Sequence, residues 1–200
     1  SPQDSSQLRR ELHLENKRVI VSVGRLVHRK GQDHLIQSMP EILKSVPDAH
    51  ILMVGQGPYL SHLKKLVKEL NLVDHVSFIG RIQYAQLPQY ICAGDIFAMP
   101  SRSRFFGLEV EGLGIVYLEA SACGLPVIAG ESGGAPDAVI EGVTGFVVDG
   151  TNTEQIAKRA IQLLLDEKLR ISLGSAGRAW IEKEWRWQIW AGKFSDLLAR

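Results

Sequence analysis

Short β-branched or apolar runs recur along this chain, each followed by a glycine or proline turn or by a helical pattern. They are Arg18–Val23 (RVIVSV), His50–Val54 (HILMV), His75–Ile79 (HVSFI), Ile96–Met99 (IFAM), Pro126–Ala129 (PVIA) and Gly145–Val148 (GFVV). Runs this compact and this apolar suit strands of a parallel sheet buried on both faces. Between them, Leu60, Leu63, Leu66, Val67 and Leu70 repeat at helical spacing, as do Ile156, Ala160, Ile161 and Leu164. Gly31-Gln32-Asp33 and Asn152-Thr153-Glu154 read as helix entries, with a cap or an early acid at the positive end. Strand–helix alternation of this kind demands right-handed crossovers, so the expected fold is α/β, a Rossmann-like doubly wound parallel sheet.

In such sheets ligands bind beyond the carboxyl ends of the strands, so the residues after each strand carry the functional signal. The first strand runs into Gly24-Arg25-Leu26-Val27-His28-Arg29-Lys30-Gly31. This is no GxGxxG dinucleotide fingerprint; it is either a diphosphate site built from Arg25, Lys30 and helix amides, or a solvated basic loop. Gly55-Gln56-Gly57-Pro58 after the second strand is a turn into a helix. Gly80-Arg81-Ile82-Gln83 after the third leaves backbone that either meets a flat ring or simply packs. The fourth strand opens into a long connection, Pro100 to Gly114, bearing Arg102, Arg104, Phe105, Phe106, Glu109 and Glu111, before a helix from about Ile115 to Cys123. Gly112 and Gly114 leave amides bare at that helix start, where oxygen ligands are favoured. Gly133-Gly134 after the fifth strand is either a second anion or sugar site or an ordinary turn.

Composition excludes several classes. A formal charge of +1 over 200 residues offers no whole-chain field for nucleic acid. No apolar run approaches the roughly 18 residues of a membrane span, and no stretch of the given residues reads as a signal peptide. The two cysteines, Cys92 and Cys123, lack metal-ligand spacing and read as small buried thiols of a reducing compartment. The opening SPQDSSQLRRELHL has no initiator Met and reads as a linker entering a helix, as in a piece of a longer protein.

Two glutamates separated by seven residues, Glu111-GLGIVYL-Glu119, tie these loops together. Around them stand VGRLVHRKG (Val23–Gly31), VGQGP (Val54–Pro58), FIGRI (Phe78–Ile82) and DIFAMPS (Asp95–Ser101). EASACGLPVIA (Glu119–Ala129), GGAPDAV (Gly133–Val139) and GVTGFVV (Gly142–Val148) follow. In this order the segments resemble the C-terminal, nucleotide-sugar-binding domain of retaining GT-B glycosyltransferases of family 4, or group 1. The connection Arg102–Ala120, with Ala179-Trp180 and Glu184-Trp185-Arg186-Trp187, is most similar to actinobacterial phosphatidylinositol-mannoside mannosyltransferases that use GDP-mannose. The chain departs from that pattern at Phe105-Phe106, where smaller residues, often glycine, are expected.

The resemblance implies a division of roles. Arg25, Lys30 and Glu111 would act at the reacting centre. The donor would be held by Gly24, Arg25, Lys30, Gly55, Arg81, Ile82, Glu111, Gly112, Leu113, Gly114, Ile115, Val116 and Glu119. Arg25 and Lys30 would take the diphosphate, Glu111 the sugar hydroxyls, Glu119 the ribose diol, and backbone near Arg81 and Ile82 the base. No metal or other cofactor is implied, and the chain lacks an Asp-x-Asp motif. The nucleotide sugar, GDP-mannose or another such as UDP-glucose or UDP-N-acetylglucosamine, is a substrate. The resemblance implies that a lipid acceptor and a catalytic histidine come through a missing N-terminal domain; none of His13, His28, His34, His50, His62 and His75 matches that role, and they read as surface or core positions. Residues 1–17 would then be linker and leading helix, 18–183 the nucleotide-sugar domain, and 184–200 an amphipathic tail helix carrying Trp185, Trp187 and Trp190. That tail reads either as a membrane anchor or as a helix packing back on the other domain. The isolated chain would be inactive, and the full enzyme cytoplasmic, with peripheral association at the inner face of the plasma membrane. The competing readings are a GT-B sugar-nucleotide epimerase, a dehydrogenase lacking its fingerprint, and a non-catalytic sugar-nucleotide-binding module.

Overall fold

A computed structural model describes residues 2–198, apart from the Lys193 side chain. Helix α1 (Ser6–Glu11) leads into strand β1 (Arg18–Val23), then α2 (Gln32–Ser45), β2 (Ala49–Val54), α3 (Leu60–Glu69) and β3 (Val76–Gly80). Helix α4 (Leu87–Cys92), β4 (Ile96–Met99), α5 (Ile115–Ala122), β5 (Val127–Gly130) and β6 (Gly145–Val148) come next. The described chain ends with α6 (Thr153–Leu165), α7 (Glu167–Glu184) and α8 (Trp187–Leu198). The expected strands fall within a residue of those observed. The tail expected as one helix over 184–200 instead begins with α7's end and a break at Trp185–Arg186; residues 199 and 200 lie outside the described residues.

Among the described residues all strand pairs are parallel, in the order β3-β2-β1-β4-β5-β6. The chain winds outward from β1 in one direction and from β4 in the other, so the order reverses between them. That reversal opens a crevice at the carboxyl ends of β1 and β4. Strands β1, β2, β4 and β5 are almost wholly buried because helices cover both faces. On one face α2 inserts Leu35, Ile36, Met39 and Ile42, all fully buried, against Ile20, Ile51 and Met53. Each such side chain contributes on the order of 1.5–3 kcal/mol by leaving water. On the other face Tyr117 of α5 and Phe97 of β4 meet edge to face at 5.9 Å.

Helix ends follow the residues that read as caps. Asn152 accepts the Gln155 backbone N–H at 2.9 Å, and Asp166 that of Leu169 at 2.9 Å. At the far end Trp180, Trp185 and Trp190 form a ladder of rings, with centroids 5.6 and 5.5 Å apart. Trp187, Phe194, Leu197 and Leu198 remain exposed along α8. No helix among the described residues is long and apolar enough to cross a membrane.

Candidate functional site

The crevice at the strand-order reversal holds a cleft of about 540 Å³ lined by Val23, Gly24, Lys30, Glu111, Leu113, Gly114, Ile115, Val116 and Glu119. Two loops supply it: the one after β1 brings Lys30, and the long connection after β4 brings Glu111 and the first turn of α5. Glu111 is buried, and Lys30 Nζ lies 2.8 Å from its Oε2. Arg29 Nη1 donates a short hydrogen bond to the same oxygen and reaches Glu109 at 3.8 Å. Burial pulls the Lys30 ammonium below its ordinary range, Glu111 opposes that shift, and Arg29 adds to it. The centre of the cleft is thus a desolvated cation locked to a carboxylate, each with exchangeable bonds for an anion or a hydroxyl.

Glu111 is buttressed from behind. Its backbone N–H donates to Ser132 Oγ at 3.0 Å, and its carbonyl accepts from Gly134 N–H at 3.2 Å. Gly133 has φ +54, and a β-carbon there would stand 2.0 Å from the Glu111 carbonyl oxygen. The Gly133-Gly134 pair therefore allows close packing of the Glu111 loop.

A second clamp fixes the loop's start. The buried Arg102 guanidinium forms a two-pronged bond with Asp33 in the first turn of α2, at 2.7 Å through each nitrogen. Tyr59 Oη donates to Asp33 at 2.9 Å, and Arg102 donates to His28 Nδ1 at 2.8 Å. Burial raises the Asp33 carboxyl, but Arg102 and Tyr59 outweigh it and hold the group below the usual carboxylate range. Burial and then Arg102 keep His28 below the ordinary histidine value. Deeper, Tyr117 Oη donates to the Met99 carbonyl at 2.7 Å and meets Ser101 Oγ at 2.9 Å, pinning α5 to the end of β4.

The cleft continues past α5. Glu119, half-buried, accepts one side-chain hydrogen bond, from Tyr84 Oη at 3.2 Å. Burial raises its carboxyl, against a smaller opposing effect from Tyr84. A carboxylate held this way retains acceptor capacity for a vicinal diol. Beyond Tyr84 lies an open hollow of about 670 Å³ lined by Ile79, Arg81, Ile82, Gln83, Tyr84, Gln86 and Tyr90. Lys30, Glu111, Glu119 and the Arg81–Ile82 segment thus follow one another along a single track.

Three of the expected residues fall elsewhere. Arg25 is exposed at the loop's outer edge, and among the described residues its side chain makes no hydrogen bond or ion pair; Arg29 takes the place beside Glu111. Gly55 lies under the site: at φ +136, a β-carbon there would overlap the Gly24 carbonyl oxygen at 1.9 Å, so it packs one loop on another. Gly112 is exposed and outside the cleft lining. His28 and His34 are neither surface nor core but half-buried neighbours of Arg102. Phe105 and Phe106 both adopt left-handed backbone, φ 50 and 54, and are exposed. This is why glycine is expected there.

Sequence reading missed Arg29, the Arg102–Asp33–Tyr59 clamp and Tyr84. Arg29 carried a signal, adjacency to Lys30 in the basic loop. The clamp and Tyr84 carried none, because their partners come from distant strands' loops.

The family model described as glycosyl transferases group 1 matches residues 4–180. A GDP-mannose-dependent alpha-(1-6)-phosphatidylinositol monomannoside mannosyltransferase of Mycobacterium tuberculosis is 45% identical over 197 residues, 98% of this chain and 51% of that protein. The chain therefore spans about half the length of such curated relatives. Among solved structures, Anabaena Alr3699/HepE in complex with UDP superposes with a TM-score of 0.85 at 28% identity, covering 100% of this chain and 53% of that one. The C-terminal domain of a glycosyl transferase group 1 family protein (LpcC) from Francisella tularensis gives 0.81 at 26% identity, covering 93% of this chain and 95% of that domain.

Proposed function

The chain belongs to the group 1 glycosyl transferases, and from that membership we propose that it is the donor-binding half of a retaining mannosyltransferase using GDP-mannose. The observation that carries the reading is the track itself: cation and carboxylate, then a half-buried carboxylate, then an open hollow lined in part by Arg81 and Ile82. That order matches the parts of a nucleotide sugar, with diphosphate and hexose at Lys30 and Glu111, ribose at Glu119, and base near Arg81 and Ile82. The 45% identity to a GDP-mannose-dependent relative favours guanine and mannose over UDP-sugars.

On this reading Lys30 leaves Glu111 for the diphosphate, and Arg25 folds in from the loop edge to share that charge. Both cations stabilise the negative charge that builds as the nucleoside diphosphate departs, the role a metal plays in other transferases. Glu111, freed of Lys30, accepts hydrogen bonds from the sugar hydroxyls, aided by amides near Gly114 and Ile115. Attack comes from the face the leaving group quits, so the anomeric configuration is retained and the departing phosphate takes the acceptor proton. The domain supplies position and charge stabilisation. A preceding domain, covering the exposed face of α8, would bring the acceptor, a phosphatidylinositol-mannoside-type lipid, at the cytoplasmic face of the membrane.

Calorimetry of this chain with GDP, GDP-mannose, UDP-glucose and UDP-N-acetylglucosamine tests the proposal. Preference for the two guanine nucleotides is expected, with no turnover by the chain alone. Equal or absent binding of all four would overturn it.

A further inference from the structure

Cys92 and Cys123 are far apart in sequence, yet the fold sets their sulfurs against each other. Cys92 is the last residue of α4, and Cys123 follows the last residue of α5. The Cys123 thiol donates to the Pro88 carbonyl, one turn before Cys92, at 4.0 Å, and its sulfur is in hydrogen-bonding contact with that of Cys92. Cys92 Sγ also accepts the Gln3 backbone N–H at 3.3 Å. The pair is unequal: Cys92 is half-buried, whereas Cys123 is buried.

That inequality has chemical consequences. The contact with Cys123 pulls the Cys92 thiol down to about 6, against an opposing effect of burial, with the Gln3 amide helping. The same contact, together with burial, pushes the Cys123 thiol up. The more exposed Cys92 sulfur is thus the one favoured as thiolate, beside a buried thiol that keeps its proton, the arrangement that separates an attacking from a resolving thiol.

We infer that Cys92 and Cys123 form a redox modification site, a dithiol that peroxide-class oxidants convert to an intramolecular disulfide. The Cys92 thiolate attacks one peroxide oxygen; the O–O bond breaks, hydroxide leaves, and Cys92 becomes a sulfenic acid. The Cys123 sulfur then attacks the Cys92 sulfur. The S–O bond breaks, and the departing hydroxide leaves as water with the Cys123 proton. The two thiols together lose two electrons and two protons, and peroxide takes them up to become two waters. With only two cysteines in the chain, one bond consumes every thiol.

The bond would tie α4 to α5 beside the donor track. The Cys123 backbone N–H donates to the Glu119 carbonyl at 3.1 Å, so the resolving thiol sits one turn past Glu119. Cys123 and Glu119 also line a common small pocket of about 170 Å³ with Tyr84. The site needs no nucleotide sugar and stands or falls apart from the donor-binding reading.

The test oxidises this chain with equimolar hydrogen peroxide, then counts thiols, weighs the intact protein and maps peptides without reduction. Both thiols should vanish together, with loss of two hydrogens, a Cys92–Cys123 cross-linked peptide and full recovery by dithiothreitol. Cys123→Ala should instead accumulate a dimedone-reactive sulfenic acid at Cys92, and Cys92→Ala should react at least about tenfold more slowly. Added oxygen or covalent dimers in place of the cross-link, or equal reactivity of the two variants, would overturn the inference. The peptide map of the unsubstituted chain decides the matter even if a variant misfolds.

Discussion

Lys30 Nζ and Glu111 Oε2 stand 2.8 Å apart with both side chains nearly buried, so Glu111 is the counter-ion of Lys30 and is shared with Arg29. Any anion that claims Lys30 must open this pair. Lys30→Ala should weaken GDP binding by about 1–3 kcal/mol, as loss of a charge-assisted bond does. Glu111→Gln should strengthen binding of GDP, which has no sugar for Glu111 to hold, while erasing any extra affinity for GDP-mannose. Calorimetry on both variants checks the pair of outcomes; unchanged GDP affinity in Lys30→Ala would remove the diphosphate role.

Glu119 accepts its side-chain hydrogen bond from Tyr84 alone among the described residues. Glu119→Ala should cost about 1–3 kcal/mol of GDP affinity, and distinctly less for 2′,3′-dideoxy-GDP, which offers no diol. Equal losses for both nucleotides would show that Glu119 does not read the ribose. Tyr84→Phe should leave GDP affinity nearly unchanged, since Glu119 keeps acceptor capacity for the diol beside the phenol.

Those two glutamates were legible in sequence because their spacing and their glycine surroundings are local properties. Arg102 was not. Its partner Asp33 sits on α2, and only the pairing of β4 beside β1 brings them together. Arg102→Met should destabilise the fold by roughly 3–5 kcal/mol, because Asp33 is left buried without its counter-ion. Pairing it with Asp33→Asn should recover much of that loss. Urea denaturation of the single and double variants measures the difference.

His50 is buried, and burial, with the nearby Lys17 charge, depresses it to about 4. The unfolded chain then takes up the proton first. The neutral-form contribution is complete above about pH 6.5, declines as pH falls and is gone below about 4, amounting to about 3 kcal/mol. Asp33, also held low, loses its contribution only further down, as pH falls from the unfolded value of 3.8 through its folded one. A denaturation series from pH 7.5 to 4 (roughly the span of the histidine titration) should show the loss in the native chain and a flatter profile in His50→Gln. Parallel profiles would assign the loss to other groups.

Phe106 is exposed and left-handed at φ 54. Phe106→Gly should therefore raise stability by about 1 kcal/mol, since it removes backbone strain and gives up no packing. Thermal unfolding gives the sign, and a fall in midpoint would mean that the ring does something the exposed conformation does not reveal.

The sequence by itself determined the α/β alternation, the strand positions and the glutamate pair, because periodicity, turn glycines and spacing act within a few residues of the chain. It also marked Phe105-Phe106 as a place where glycine belongs, and left-handed backbone supplies the reason. Only the tertiary structure decided which cation meets Glu111. Arg25 and Arg29 lie in one basic loop, and the way that loop closes over Gly55 and beneath Glu109 turns Arg29 inward and leaves Arg25 in water. The same holds for Cys92 and Cys123: sequence offers two separate buried thiols, whereas the packing of α5 against α4 brings them together and leaves Cys92 only half-buried. Contacts of this kind depend on how strands are ordered in the sheet, and that order is a property of the whole chain burying its apolar faces at once.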